Sequence, residues 1–172
     1  MVRDGGGRRR GGGGMQLGIA LEGGGARCAA QAGVLAALLE AGIRPACYAG
    51  CGAGALVAAL AATEALTEEA VRDFERAVTK NAFLRNRRLN AKLRARFESQ
   101  AIRGLMPLAM PAVDLESGAV QVIASMLPVH PDPRPWSRQA LLSTAVRAAM
   151  ATPGALPPVS WRGRTLSGGG ML

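Results

Sequence analysis

The chain has 172 residues, enough for one domain with a real core, and 49% of them are apolar while only 3% are aromatic. Its formal net charge of +9 favours acidic partners, anionic lipid surfaces among them. With so few aromatic residues and no RNA- or DNA-binding motif, a base-stacking platform is excluded and no nucleic-acid partner is expected.

Residues 1–14, MVRDGGGRRRGGGG, are glycine and arginine with almost nothing to bury. They read as a disordered tail, with the folded domain over residues 15–172. A secretory signal needs an apolar stretch after its charges, and glycines follow Arg10 instead. Gly18–Leu21 is short and apolar, which suits a buried strand. Glu22-Gly23-Gly24-Gly25-Ala26-Arg27 breaks it with three adjacent glycines, whose backbone takes φ > 0 and comes close to a ligand. Helix formers follow over 29–41, with apolar residues at Ala29, Val34, Leu35, Leu38 and Leu39. A second short strand is predicted over 47–49, then a tight turn at Gly50-Cys51-Gly52-Ala53-Gly54, then a helix over 55–62. Residues 45–63 carry no charge and have the length of a membrane span. Pro45 and the three glycines of the turn argue for strand, elbow and helix instead.

Thr67-Glu68-Glu69 opens a helix predicted over 67–78, with acidic residues in its first turn. Residues 81–103 are strongly basic, with Arg85, Arg87, Arg88, Lys92, Arg94, Arg96 and Arg103. Leu89, Leu93 and Phe97 recur every four residues, so one helix face is apolar and the other cationic. Such a helix is either an ordinary amphipathic element or a binder of anionic lipid. Pro107 and Pro111 predict a loop over 105–113 that leads into a strand. Asp114-Leu115-Glu116-Ser117-Gly118 turns the chain, and 119–125 returns as a strand. Asp114 and Glu116 are read as turn and strand-end residues. Residues 128–135 form a proline-rich loop that holds the one histidine, His130. A helix capped by Ser137 is predicted over 137–151, and 161–165 turns at Arg162-Gly163.

Three cysteines, Cys28, Cys47 and Cys51, are an odd number. That count suggests a reduced, cytoplasmic compartment rather than a disulfide framework. No metal site is expected, because Cys47 and Cys51 lack a second Cys or His pair, and no cofactor is implied.

Two strand–turn–helix units with glycine turns read as phosphate binding or as acyl transfer. A P-loop needs Gly-Lys-Ser/Thr, which is absent. The dinucleotide fingerprint fails because Cys28 takes the place of its last glycine and no acidic residue lies between Arg44 and Gly50. In acyl transfer the first loop supplies an oxyanion hole and the second a nucleophile elbow.

Four blocks then resemble the patatin-like phospholipases, from Leu17 to the C-terminus. They are Leu21-Glu22-Gly23-Gly24-Gly25-Ala26-Arg27, Ala49-Gly50-Cys51-Gly52-Ala53-Gly54-Ala55-Leu56, Ala112-Val113-Asp114-Leu115-Glu116-Ser117-Gly118, and Ala149-Met150-Ala151-Thr152-Pro153-Gly154-Ala155-Leu156-Pro157-Pro158 followed by Leu166-Ser167-Gly168-Gly169. The resemblance implies an α/β fold, a three-layer sandwich on a mostly parallel sheet, with the C-terminal part of the domain missing here. It implies a lipid or acyl-ester substrate, and an oxyanion hole at Gly23, Gly24, Gly25 and Arg27. Family members use a Ser–Asp dyad, needing no histidine. Here the nucleophile position is Gly52 and the acid/base position is Ser167. Glycine offers no nucleophile and a serine hydroxyl is no base near neutral pH. Three readings follow: a hydrolase scaffold impaired in catalysis, a hydrolase with a displaced nucleophile at Cys51 or Ser167, or a module that binds membranes peripherally through the basic helix 85–103. The elbow presents a single side chain, so Cys51, one residue early, is aimed elsewhere. Oligomeric state is not legible.

Overall fold

The computed structural model describes residues 16–76, 82–97 and 100–171. The tail 1–14 and the predicted end of the 67–78 helix beyond Arg76 lie outside these residues. Strand β1 (Gly18–Leu21) pairs in parallel with β2 (Cys47–Gly50). Helix α1 (Cys28–Glu40) makes the crossover that parallel pairing requires. Its end is closed by Gly42 at φ +78, with the Gly42 and Ile43 amides donating back to Leu39 and Leu38.

Helix α2 (Ala53–Ala62) follows the elbow, and its residues 54–62 are all buried. A helix that is apolar all round belongs inside a core. Ten residues span about 15 Å, half of a bilayer's hydrocarbon. Among the described residues no helix is long and apolar enough to cross a membrane. α2 lies on β1 and β2 and touches α1. Helix α3 (Glu68–Glu75) begins as predicted, with the Thr67 hydroxyl accepting the Ala70 amide at 3.1 Å.

Helix α4 (Ala82–Phe97) is shorter than the basic stretch. Arg103 falls in a turn, because Ala101 bridges Leu141 and the fully buried Ile102 donates its amide to Ala140. Leu89, Leu93 and Phe97 are buried, so the apolar stripe of α4 is turned into the core.

Strand β3 (Leu108–Asp114) replaces most of the loop predicted over 105–113. Pro111 sits inside it without breaking the ladder. Its neighbour in β4 (Val120–Ala124) is Val122, whose amide points away to Pro135. On the other side β2 pairs only with Leu108 and Ala109, and the last strand begins at Ala112. No donor is therefore needed at residue 111. The β3–β4 turn is built by Asp114, whose carboxylate accepts from the Glu116 amide and the Ser117 hydroxyl.

Ser137 does not cap a helix. It lies in β5 (Trp136–Ser137), parallel to β4, and its hydroxyl accepts the Gln139 amide. Helix α5 (Leu142–Ala149) starts later, with Leu141 as an N-cap that offers no side-chain hydrogen bond. The bridge from Ala101 holds that segment extended. Strands β6 (Val159–Trp161) and β7 (Arg164–Gly168) form a hairpin whose two turn residues, Arg162 and Gly163, both have positive φ.

The sheet runs β1-β2-β3-β4-β5, with β7 antiparallel to β3 beside the end of β2 and β6 outside β7. The fold is α/β, with a parallel β1-β2-β3 core in a mixed sheet. Helices α2 and α5 pack against the strands, and α1 and α4 pack against those two helices.

Candidate functional site

β2 delivers the chain into the elbow. Gly52 is the N-cap of α2 at φ +54, ψ −134, a backbone region that L side chains rarely adopt. Its neighbours are glycine for a steric reason. A Cβ on Gly50 would lie 2.5 Å from the Ala55 Cα, and one on Gly54 would lie 2.5 Å from the Leu21 carbonyl oxygen. The Cys51 amide donates to Leu21 (2.9 Å) and the Gly52 amide to Ala149 (3.1 Å), which fastens the elbow to β1 and to the end of α5. Gly54 and Ala55 donate back to Cys51 and Gly52, so the Ala53 amide is the helix-start donor left over.

The glycine loop rests directly on this elbow. A Cβ on Gly52 would be 2.7 Å from the Gly23 Cα. Gly25 has φ +57 and begins a short 3-10 turn to Arg27, whose amide donates to the Gly24 carbonyl at 3.1 Å. Arg27 is exposed and serves as the N-cap of α1 through its main chain. Gln31, which sequence reasoning passed over, donates from Nε2 to the Glu22 carbonyl at 3.0 Å and ties the loop to α1. Its signal was a lone polar side chain in the run Ala29-Ala30-Gln31-Ala32.

Ser167 lies on β7 opposite Val113 and is buried. Its hydroxyl donates to the Ala151 carbonyl at 2.6 Å, and the Gly168 amide donates to the same oxygen at 2.9 Å. Gly169 packs where the β3 ladder opens at Pro111, since a Cβ there would be 2.7 Å from the Pro111 oxygen. Gly170 faces Cys51, its Cβ position being 3.5 Å from the thiol sulfur.

These pieces meet at a cavity of about 570 Å³. One end is formed by Gly23, Gly25, Cys51, Gly52 and Ala53 with Gly168 and Gly170. The other is apolar, with Leu56, Val71, Phe74, Leu89, Met150 and Leu156. Gly24 and Ser167 do not line it. Cys51 does, and burial pushes its thiol pKa up against the smaller opposing effect of the Gly52 amide. The neutral thiol is favoured, which is the unreactive form. His130 is exposed in the 128–135 loop and does not line the cavity. Among the described residues no cluster of side chains gathers with metal-ligand character.

A glycine loop seated on a strand–elbow–helix, both opening into an apolar cavity, is the scaffold of the acyl hydrolases. The sequence profile of the patatin-like phospholipases matches residues 19–172, and the chain belongs to that family. No curated protein sequence matches it. Among solved structures it is similar to VipD from Legionella pneumophila, with a TM-score of 0.58 and 12% identity. The match covers 91% of this chain and 46% of VipD, so the chain spans less than half of that protein's length. At that identity the likeness is one of fold.

Proposed function

We propose that the chain is a patatin-like lipid acyl hydrolase scaffold that binds an acyl chain and is impaired in the hydrolytic step. The observation that carries this reading is the 570 Å³ cavity, apolar at one end and lined at the other by the glycine loop and the elbow, where the Ala53 amide is the helix-start donor left over. An acyl chain fits the apolar end by burial, and a carbonyl or carboxylate oxygen fits the donor end. In this reading the Gly25 amide holds the oxyanion at the cavity, and Gly24, which lies off the lining, shapes the loop with Gly23 and Arg27. Gly52 marks the nucleophile position and Ser167 that of its base. Loss of such groups in serine hydrolases lowers the rate on the order of a million-fold, leaving binding and oxyanion effects.

The test sets the chain beside Gly52→Ser/Ser167→Asp. Two quantities are measured: hydrolysis of a p-nitrophenyl acyl ester, and displacement of a fluorescent fatty acid. The unaltered chain is expected to bind the fatty acid without turnover, and the double variant to gain turnover. Hydrolysis by the unaltered chain at a rate near that of active family members overturns the impairment. Absence of fatty-acid binding overturns the use of the cavity.

A second reading, peripheral attachment to an anionic membrane, is supported by the exposed Arg87, Arg88, Arg94 and Arg96 on α4. Because the apolar stripe of that helix is inside the core, this attachment acts through charge.

A further inference from the structure

A second cavity, of about 280 Å³, lies on the far flank of α4 and α5, against residues 157–160. We propose that it binds a phosphoryl-type oxyanion through Arg147. This site does not depend on the acyl cavity being used.

Arg147 projects from α5 and is only 6% exposed. Its Nε donates to the Asn90 side-chain oxygen at 3.0 Å. Its Nη2 donates to the Asn86 side-chain oxygen at 2.7 Å and to the Pro157 carbonyl at 2.8 Å. Nη1 is buried and has no hydrogen-bond partner. Among the described residues no carboxylate forms an ion pair with this guanidinium. All its acceptors are neutral amide oxygens, so Nε and Nη2 are satisfied while Nη1 and the charge are not. A buried cation without an anion is costly to hold. Burial accordingly pushes the Arg147 pKa down.

The rest of the lining supplies what an oxyanion needs. Arg94 adds a second, exposed cation, and Ser143, Thr144 and Ser160 add hydroxyls. The Asn86 oxygen accepts from both Arg147 and the Asn90 side-chain amide, which leaves the Asn86 amide nitrogen as a donor for a ligand. Among the described residues no carboxylate lines the cavity. A phosphoryl group has several acceptor oxygens and negative charge, and a guanidinium fork matches it in geometry. The space, about 280 Å³, is many times the roughly 10–15 Å³ that a single water needs. That suits a phosphoryl group with a small substituent. The group could come from free phosphate or from a lipid headgroup, and the chemistry of the site is the same.

The experiment titrates the full chain with inorganic phosphate and, separately, with a soluble short-chain phosphatidic acid, by calorimetry. Saturable binding is expected, weakened about tenfold in Arg147→Lys, which keeps the charge and loses the fork. Arg94→Gln and Ser160→Ala are expected to weaken it severalfold, and they keep the test valid if Arg147→Lys fails to fold. Arg138→Gln, an exposed change outside the lining, should leave affinity unaltered. Equal affinity for both ligands identifies free phosphate as sufficient, and much tighter phosphatidic acid that is weakened in Arg94→Gln identifies a headgroup; either supports the site, whereas phosphatidic acid binding that Arg94→Gln and Arg147→Lys leave unaltered belongs to the acyl cavity and overturns it. No saturable binding of either ligand overturns it. So does an affinity that falls as much in Arg138→Gln as in Arg94→Gln.

Discussion

Gly54 is the residue on which the elbow's geometry rests most visibly. Its missing Cβ would stand 2.5 Å from the Leu21 oxygen, at the end of β1, and 2.6 Å from the Glu22 oxygen, at the start of the glycine loop. A flexible side chain could yield, but two main-chain carbonyls, one of them in a paired strand, cannot. Gly54→Ala is therefore expected to lower stability by about 3 kcal/mol, read from urea unfolding. Cys51 carries a pH dependence of determinable sign. Burial raises its pKa in the folded protein, so the unfolded chain ionises first as pH rises through the ordinary thiol range. Stability from this group is full below that range and is lost as pH climbs through the folded value. Tyr48, raised mainly by burial with Arg44 opposing, bends the curve the same way at higher pH. Urea midpoints taken from neutral pH to about 10 should fall, and Cys51→Ala should flatten the first part of that fall.

At the scale of elements, the acyl cavity has one wall made by α3 and α4. Val71 and Phe74 of α3 and Leu89 of α4 form that wall, whereas α2 behind it is wholly buried. Because α3 is only eight residues long, its start must be secured locally. The Thr67 hydroxyl does this by accepting the Ala70 amide, with Glu68 and Glu69 favourably placed at the helix start. Thr67→Ala is expected to lower stability by about 1 kcal/mol in urea unfolding. It should weaken fatty-acid binding in the same protein, since the cap is exposed and touches the cavity only through the helix it holds. Equal binding in both would mean that the α3 wall is set by packing on α1 rather than by its own start.

Over the whole molecule, charge and hydrophobicity are separated. The net charge is +9, while the apolar face of the most basic helix is closed off inside the core. Attraction to membranes therefore has no insertion component to draw on from α4. Binding to vesicles rich in anionic lipid should fall steeply as salt is raised from about 50 to 200 mM, and neutral vesicles should not bind. Charge reversal at Arg87 and Arg88 should abolish the anionic binding, measured by co-sedimentation. Salt-insensitive binding would point to an apolar surface elsewhere, such as that around the 92%-exposed Val129.

The local pieces of this protein were legible in its sequence. Glycine spacing marked both turns at Gly23-Gly24-Gly25 and Gly50-Cys51-Gly52-Ala53-Gly54, because the absence of a Cβ is itself the structural requirement. Periodicity marked Leu89, Leu93 and Phe97 as one apolar face, which the packing then buried, and Thr67 announced its helix. The family resemblance that these blocks carried agrees with the profile match. What depended on distant partners was not legible. Pro111 reads as a strand breaker, yet it lies in the central strand because two different neighbours leave a gap beside it. Ser137 reads as a cap, yet a bridge from Ala101 delays the helix to Leu142. Arg147 carried no signal in the sequence; α4 and residues 157–160 closing around it set it apart. Backbone rules act between neighbours and are written residue by residue. The desolvation of a charge and the missing rung of a ladder exist only once remote segments have packed together.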